Sequence, residues 1–250
     1  MWFNSGIHPG DTLLLHSNIT RTLLQVKKLN KNIGPRDLLD CILDLLGPKG
    51  TLMTPLFNFD FTKGNPFDTK HTKSQMGILS ELARSHPKSI RTGHPVYSFS
   101  VIGAKQNYFL NLDNESAFSA ESPFGILTKL DGKIGVIDLD DQDSMTYYHH
   151  VEQMCNVEYR YHKKFTGLYT SDEGLTSSKT YSIFVRKIEN GVITTVNPMG
   201  KLLWRNRLYK GWLPGQYSGL RTIKVREMFS FVEDIILQGK ARGTLFEIVE

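Results

Sequence analysis

Seven consecutive residues, Thr146-Tyr147-Tyr148-His149-His150-Val151-Glu152, bring together the side chains best suited to proton transfer. On a helix, a step of three residues sets His149 and Glu152 next to each other on one face, with Thr146 one turn before the histidine. An imidazole with an unperturbed pKa near 6.5 can accept a proton at neutral pH, and a carboxylate beside it fixes the tautomer and stabilises the imidazolium. General-base work is one reading; a metal pair and a plain structural His–Glu contact are the others. The metal reading lacks a third ligand at a recognisable spacing, since His94, His150, His162 and the acids between Asp138 and Asp143 are candidates by sequence proximity alone. A serine hydrolase is disfavoured because no Gly-x-Ser-x-Gly elbow occurs, and Ser17, Ser98, Ser100 and Ser122 carry no nucleophile signature. Neither Gly-x-Gly-x-x-Gly nor Gly-x-x-x-x-Gly-Lys-Ser/Thr is present, so dinucleotide and P-loop chemistry lose their usual support.

The elements that must hold this helix can be read from apolar periodicity. The helix, from about 145 to 155, follows the best buried strand of the chain, 133–140, which ends in acidic residues and a turn. Functional groups of open α/β sheets collect at such strand ends. A second buried strand, 12–17, follows the turn Pro9-Gly10-Asp11 and leads into a polar turn at Ser17-Asn18. Gly34-Pro35 opens a helix with Leu38, Leu39, Ile42 and Leu45-Leu46 at helical spacing and Cys41 as a small buried residue; Gly47-Pro48 stops it. A strand over 50–57 completes a strand-helix-strand unit, which predicts a parallel or mixed sheet.

The aperiodic stretch 58–72 is a long loop of the kind that carries function, here a candidate acceptor-binding loop. A helix over 75–85 follows, capped by Thr72 or Ser74 and carrying Met76, Ile78, Leu79 and Leu82 on its apolar side. Residues 91–103 read as an alternating strand with Ser98 and Ser100 on one face, while Ser122-Pro123 starts a helix over 124–130 whose exposed amides would suit an anion. After Asn156 the pattern turns antiparallel: a hairpin of 181–188 and 192–196 about Glu189-Asn190-Gly191, a helix over 224–237 and an edge strand over 244–249. Tyr159, Tyr161, Phe165, Tyr169, Trp204 and Trp212 read as core or interface, and Cys155 as a buried thiol. One domain over 1–250 is expected, with an α/β part over 1–156 and a β-rich part over 157–250.

Composition bounds the function class. Of 250 residues, 40% are hydrophobic and 11% aromatic, enough for a sizeable core. No apolar run approaches the roughly 18 residues of a membrane helix, Met1 to Ser5 lack a signal-peptide pattern, and Cys41 and Cys155 form no disulfide framework. A cytoplasmic protein with no membrane partner is expected. Thirty Lys and Arg against twenty-five Asp and Glu give a net charge of +5, which favours anionic partners. The basic residues are scattered or locally paired, with no zinc-finger spacing, RNP-type motif or basic arm, so nucleic acid is not expected; a phosphorylated small ligand fits the same charge.

Six segments carry a resemblance. His16-Ser17-Asn18-Ile19, Gly50 to Pro55, Met76 to Glu81, Arg91-Thr92-Gly93-His94-Pro95 with Ser98-Phe99, Ser122-Pro123-Phe124-Gly125 and Thr146-x-x-His149-x-x-Glu152, in this order, resemble the aminoglycoside 3-N-acetyltransferase family. The resemblance implies an α/β fold, acetyl-CoA or another acyl-CoA as donor and an amine as acceptor; with the pattern read above, a mixed central sheet flanked by helices and a β-rich C-terminal part is expected, and no metal. It makes His149 the general base and Glu152 its partner or an acceptor contact. By the same carry-over Ser17, Asn18 and Ile19 meet the pantetheine and thioester end of CoA, Ser98, Ser100 and Thr146 are further CoA contacts, and Ser122 caps a helix near the CoA phosphates. The family's turn commonly reads His-Ser-Ser, and Asn18 replaces its second serine here. Asp60, Asp68 and His94 are assigned to the acceptor side.

The amine would attack the thioester directly, with backbone amides near Ser17 to Ile19 stabilising the oxyanion and no covalent acyl-enzyme. The loop over 58–72 sets Lys63 and Lys70 against Asp60 and Asp68, which is no trap for a polycation, and Asn197 to Lys201 and Arg205-Asn206-Arg207 depart from the drug-modifying members. The expected acceptor is therefore an amino sugar on a nucleoside diphosphate, as in surface-polysaccharide synthesis. The alternatives are aminoglycoside 3-N-acetylation, O-acyl transfer, or CoA binding without turnover. A homo-oligomer stays open.

Overall fold

The structure, a computed structural model, describes residues 5–29 and 31–249. Its centre is strand β1 (Thr12–Ser17), which lies parallel to β2 (Thr51–Pro55) on one side and to β6 (Lys133–Ile137) on the other. Beyond β2 come β5 (Phe99–Gly103) and β4 (Ile90–Arg91), and beyond β6 come β11 (Leu220–Lys224) and β10 (Lys210–Gly211), all joined antiparallel. The seven strands run in the order β10-β11-β6-β1-β2-β5-β4.

The unbroken apolar run of β1 follows from this position, because a central strand is covered on both faces. Leu13 and Leu15 point to one face with Leu52 and Ile102. They meet Leu38, Leu39, Ile42 and Leu46 of α2 (Pro35–Leu46) and Leu79 and Ala83 of α3 (Ile78–Arg84). Leu14 points to the other face with Met53, Val101, Ile134 and Val136. There it packs with Phe124 and Leu127 of α4 (Pro123–Lys129), Tyr147, Tyr148 and Val151 of α6 (Tyr147–Met154), and Val225, Met228 and Val232 of α8 (Val225–Leu237). Two small sheets flank this sandwich: β3 (Phe67–Asp68), β7 (Arg160–Thr170) and β8 (Thr176–Arg186) form one, and β9 (Val192–Thr194) with β12 (Phe246–Ile248) the other.

Several elements differ from the sequence reading, each for a local reason. Helix α1 (Thr20–Lys28) buries only Thr22 and Val26 and starts at Ile19 without a side-chain cap, so low apolar content and the missing cap, not a lack of periodicity, hide it. The inward stripe of α2 is Leu38, Leu39, Ile42 and Leu46, which leaves Cys41 exposed rather than buried. Neither Thr72 nor Ser74 caps α3. Gly77, at φ +95°, takes that position, while Ser74 Oγ accepts the Met76 amide and Ile78 is 56% exposed. Phe99, Ser100, Val101 and Ile102 are all buried, so β5 does not alternate.

The expected hairpin over 181–196 is replaced. β8 pairs with β7 through eleven positions from Arg160↔Arg186 to Thr170↔Thr176, while the turn at Gly191, φ +71°, leads into β9, whose partner is β12. The exposed polar residues of β7, among them Lys163, Lys164 and Thr166, hide it from a hydrophobicity reading. Helix α7 (Asn197–Arg205) and strand β11 have no counterpart in that reading. Because β11 joins β6 and α8 packs on α6, the segment after 157 is built into the main sheet and core. No helix among the described residues is long and apolar enough to cross a membrane.

Candidate active site

Strand β6 ends at Ile137, and Asp138, at φ +50°, turns the chain into the short helix α5 (Asp141–Ser144) and then α6. Asp141 fixes this corner: its Oδ2 accepts the hydroxyls of Tyr148 (2.6 Å) and Tyr209 (2.7 Å), and its Oδ1 accepts Arg221 Nη2 of β11 at 3.1 Å. All four side chains are buried, so the start of α6 is tied to the sheet by a polar cluster under the chemistry-bearing turn.

One turn into α6, His149 Nδ1 lies 2.7 Å from Glu152 Oε2. The same oxygen lies 2.8 Å from Nε of Arg160, at the start of β7. Arg160 also donates to the Phe184 carbonyl and to Thr194 Oγ1, which locks its guanidinium. Glu152 is 0% exposed, whereas the His149 side chain keeps 20% of its surface open. Burial pushes the Glu152 carboxyl up, but the Arg160 charge and the His149 and Tyr159 groups around it outweigh this and hold it below its ordinary value. For His149, burial and then the Arg160 charge push the pKa down, more than Glu152 raises it, with Arg186 adding to the downward push. The imidazole is therefore neutral at neutral pH. With Nδ1–H donated to the carboxylate, Nε2 keeps the lone pair a general base needs. His150 does a different job: it is buried and its Nδ1 meets the Phe118 carbonyl at 2.8 Å, so it holds the segment whose Phe118 ring packs on His149.

A cavity of about 370 Å³ opens at the C-terminal ends of the parallel strands. His16 to Thr20, Pro55, Gln75 to Leu79, Leu139 and Asp143 line it. The expected turn Ser17-Asn18-Ile19 thus lies on its wall. The Asn18 amide donates to Ile137 O at 2.8 Å, so of the three amides expected to meet an oxyanion this one is already used. His149 is not on this wall; a chain of edge-on or tilted rings leads to it from His16, through His16 to Phe57, Phe57 to Tyr97, Tyr97 to Phe118 and Phe118 to His149, at 6.3, 4.8, 4.8 and 5.4 Å between centroids.

Other expected contacts are placed elsewhere. Ser98 is buried, accepts Arg91 Nε and donates to Leu56 O; Ser100 is buried and bonds Ser89 Oγ. Ser122 does cap α4, accepting the Gly125 amide and donating to Ser119 O, but it is 0% exposed with Pro123, Phe124 and Gly125 buried beside it. No exposed anion-binding amides remain there. These three serines serve the fold and do not line the cavity. His94 is buried as well, its Nδ1 accepting the Val96 and Tyr97 amides, and it cannot reach an acceptor. Asp68 caps its own turn through the Lys70 and His71 amides, and Asp60 accepts Gln75 Nε2, which puts it one side chain behind the cavity wall. Thr146 sits half-buried at the head of α6 and does not line the cavity; its carbonyl accepts the His149 amide. No cluster of His, Cys, Asp or Glu able to hold a metal occurs among the described residues.

Arg160, Arg221 and Phe118 went unseen in the sequence. Arg160 stands eight positions beyond Glu152 in a polar strand, and Arg221 lies far along the chain in a strand that the apolar pattern did not announce.

The family model described as aminoglycoside 3-N-acetyltransferase matches residues 16–236. Aminoglycoside N(3)-acetyltransferase IV of a Salmonella species aligns at 28% identity over 159 residues, covering 62% of this chain and 57% of that protein. The match therefore spans less than two-thirds of that relative's length. The crystal structure of aminoglycoside acetyltransferase AAC(3)-Xa superposes with a TM-score of 0.76 at 19% identity, covering 96% of this chain and 90% of the other. The binary complex of AAC-IIIb with CoASH also gives 0.76, at 17% identity and 94% and 92% coverage. At these identities the two structures establish the shared fold, a large mixed sheet flanked by helices. The acceptor expected from charge, a nucleotide-linked amino sugar of surface-polysaccharide synthesis, is overturned, because the family model and the Salmonella relative are both aminoglycoside acetyltransferases. The chain belongs to the aminoglycoside 3-N-acetyltransferase family.

Proposed function

We propose that the protein is an acyl-CoA-dependent N-acetyltransferase that acts on the 3-amino group of aminoglycosides. The observation that carries this reading is the neutral His149, aligned by a wholly buried Glu152 that Arg160 keeps ionised. A cavity of about 370 Å³ fits the acyl-pantetheine end of CoA rather than the whole molecule, and its wall is the family's His-Ser-Ser-type turn. When bound, the thioester supplies an electrophilic carbonyl and a thiolate leaving group. Ser17, Asn18 and Ile19 would hold that end. His149 Nε2 takes a proton from the acceptor ammonium or from the attacking amine, directly or through water, and Glu152 stabilises the imidazolium that results. The nitrogen lone pair forms the new C–N bond as the C–S bond breaks, and the proton leaves from His149 to the departing thiolate. Asp143, a carboxylate on the cavity wall, supplies local negative charge for a polycationic acceptor.

Thiol release from acetyl-CoA with a panel of aminoglycosides tests this, with the product's acetylated nitrogen located by NMR. Turnover at the 3-amino group that disappears in His149→Ala supports the reading. Acetyl-CoA binding without turnover on any aminoglycoside would refute the acceptor, and unchanged turnover in His149→Ala would refute the base.

A further inference from the structure

We propose that His16 is a second catalytic residue, a neutral imidazole whose N–H donates a hydrogen bond to the carbonyl oxygen of the thioester held in the cavity. This rests on the acyl-CoA reading above and adds a donor to it.

His16 precedes the Ser17-Asn18-Ile19 turn on β1, is 5% exposed and lines the cavity. Among the described residues neither ring nitrogen has a hydrogen-bond partner; its one aromatic contact is the edge-on ring of Phe57. That sets it apart from the other two buried imidazoles, His94 and His150, which both bond to backbone groups. Its ring nitrogens are not sealed from solvent, so they open onto the cavity, where a ligand atom can become the partner that the protein does not supply.

The electrostatics select a donor and exclude a second base. His16 pairs across β1–β6 with Val136, and Val136 pairs across β6–β11 with Arg221, so the Arg221 guanidinium occupies the same row of the sheet. Burial and that charge hold His16 down at about 3. A ring that stays neutral cannot gain a proton during the reaction, but one of its nitrogens always carries a hydrogen. Charge developing on the carbonyl oxygen needs fixed donors, and the Asn18 amide already serves the sheet. His16 as donor and His149 as base then divide the work: one ring stabilises the growing negative charge while the other removes the proton.

The test compares His16→Phe, which fills the ring's space without a donor, with His16→Gln, which keeps an N–H donor. Expected are a kcat lower by roughly 100- to 1000-fold in His16→Phe, a CoA dissociation constant close to wild type, and partial recovery of kcat in His16→Gln. On wild-type protein, the His16 imidazole N–H signal in NMR should move on adding an acyl-CoA analogue whose thioester sulfur is replaced by methylene, and stay put with CoA alone. This second measurement stands if a variant fails to fold. Wild-type kcat in His16→Phe, a loss confined to KM, or an unmoved signal would overturn the proposal. Failure of the wild type to bind CoA at all would instead overturn the acyl-CoA reading, and this one with it.

Discussion

Arg160→Gln removes one charge from a buried set whose charges otherwise cancel: Glu152 negative, Arg160 positive, His149 neutral. Arg160 Nε is 2.8 Å from Glu152 Oε2 and both side chains are almost wholly buried. Two unit charges about 4 Å apart at an effective dielectric near 20 interact by about 4 kcal/mol, and breaking a buried pair by deleting one partner typically costs about 3–5 kcal/mol. For a chain of this size that lowers Tm by on the order of 10 °C. The kinetic consequence has a definite sign. Without Arg160 the buried pair carries an uncompensated negative charge and binds a proton more readily, whether the proton settles on His149 or on Glu152. If it settles on His149, the base is occupied; if on Glu152, the ring loses its counter-charge. The acid limb of kcat/KM therefore moves to higher pH, by on the order of one pH unit, and turnover at pH 6 falls more than turnover at pH 8. The assay is thiol release across pH 5.5 to 9 on wild type and Arg160→Gln, with thermal melts alongside. A lowered Tm with an unmoved acid limb would leave Arg160 a purely structural residue and refute this account of the base.

Two further outcomes follow from the buried groups. His16 and His94 are held at about 3 and about 4, mainly by burial. Their folded values lie below the unfolded value near 6.5, so the neutral folded form loses stability as pH falls below about 6.5. At about 1.4 kcal/mol per pH unit each, urea unfolding at pH 5 should show roughly 4 kcal/mol less stability than at pH 7 from this pair; an unfolding free energy flat over that range would show that they titrate normally. Ser122→Ala removes the α4 cap and should cost about 1 kcal/mol while leaving KM for acyl-CoA unchanged. A several-fold rise in that KM at unaltered stability would restore Ser122 as a CoA contact.

What the sequence disclosed depended on how local the signal was. Strand β1 and helices α2 and α8 carry their apolar residues in uninterrupted runs or clean helical stripes, and they lie where periodicity puts them. His149 and Glu152 are one turn apart on a single helix, so their contact was legible from spacing alone. Their third partner was not, because Arg160 reaches Glu152 through a strand pairing with β8, and the polar face of that strand masks it. The serines misled for the complementary reason. A hydroxyl in a short motif looks the same in sequence whether it faces a ligand or caps a helix, and only burial separates Ser17, on the cavity wall, from Ser98, Ser100 and Ser122, sealed inside.

Net charge was a poor guide to the acceptor because it is a sum over the whole surface, whereas recognition depends on the few groups a ligand meets. Of the basic residues, Arg160 and Arg221 are buried in pairs with Glu152 and Asp141, Arg21 is paired with Asp138, and Lys133 with Asp11. In the loop over 58–72, Lys63 pairs with Asp60 and Asp68 accepts the Lys70 and His71 amides, so these three charged side chains are engaged within the loop itself. The cavity wall meanwhile carries one ionisable acid, Asp143, and one imidazole kept neutral, with no lysine or arginine on it. A chain of net charge +5 thus presents a wall without positive side chains. Field strength falls off within about a Debye length, roughly 8 Å at physiological salt, so the charge that a ligand meets at this wall is set by this local balance and not by lysines elsewhere on the surface.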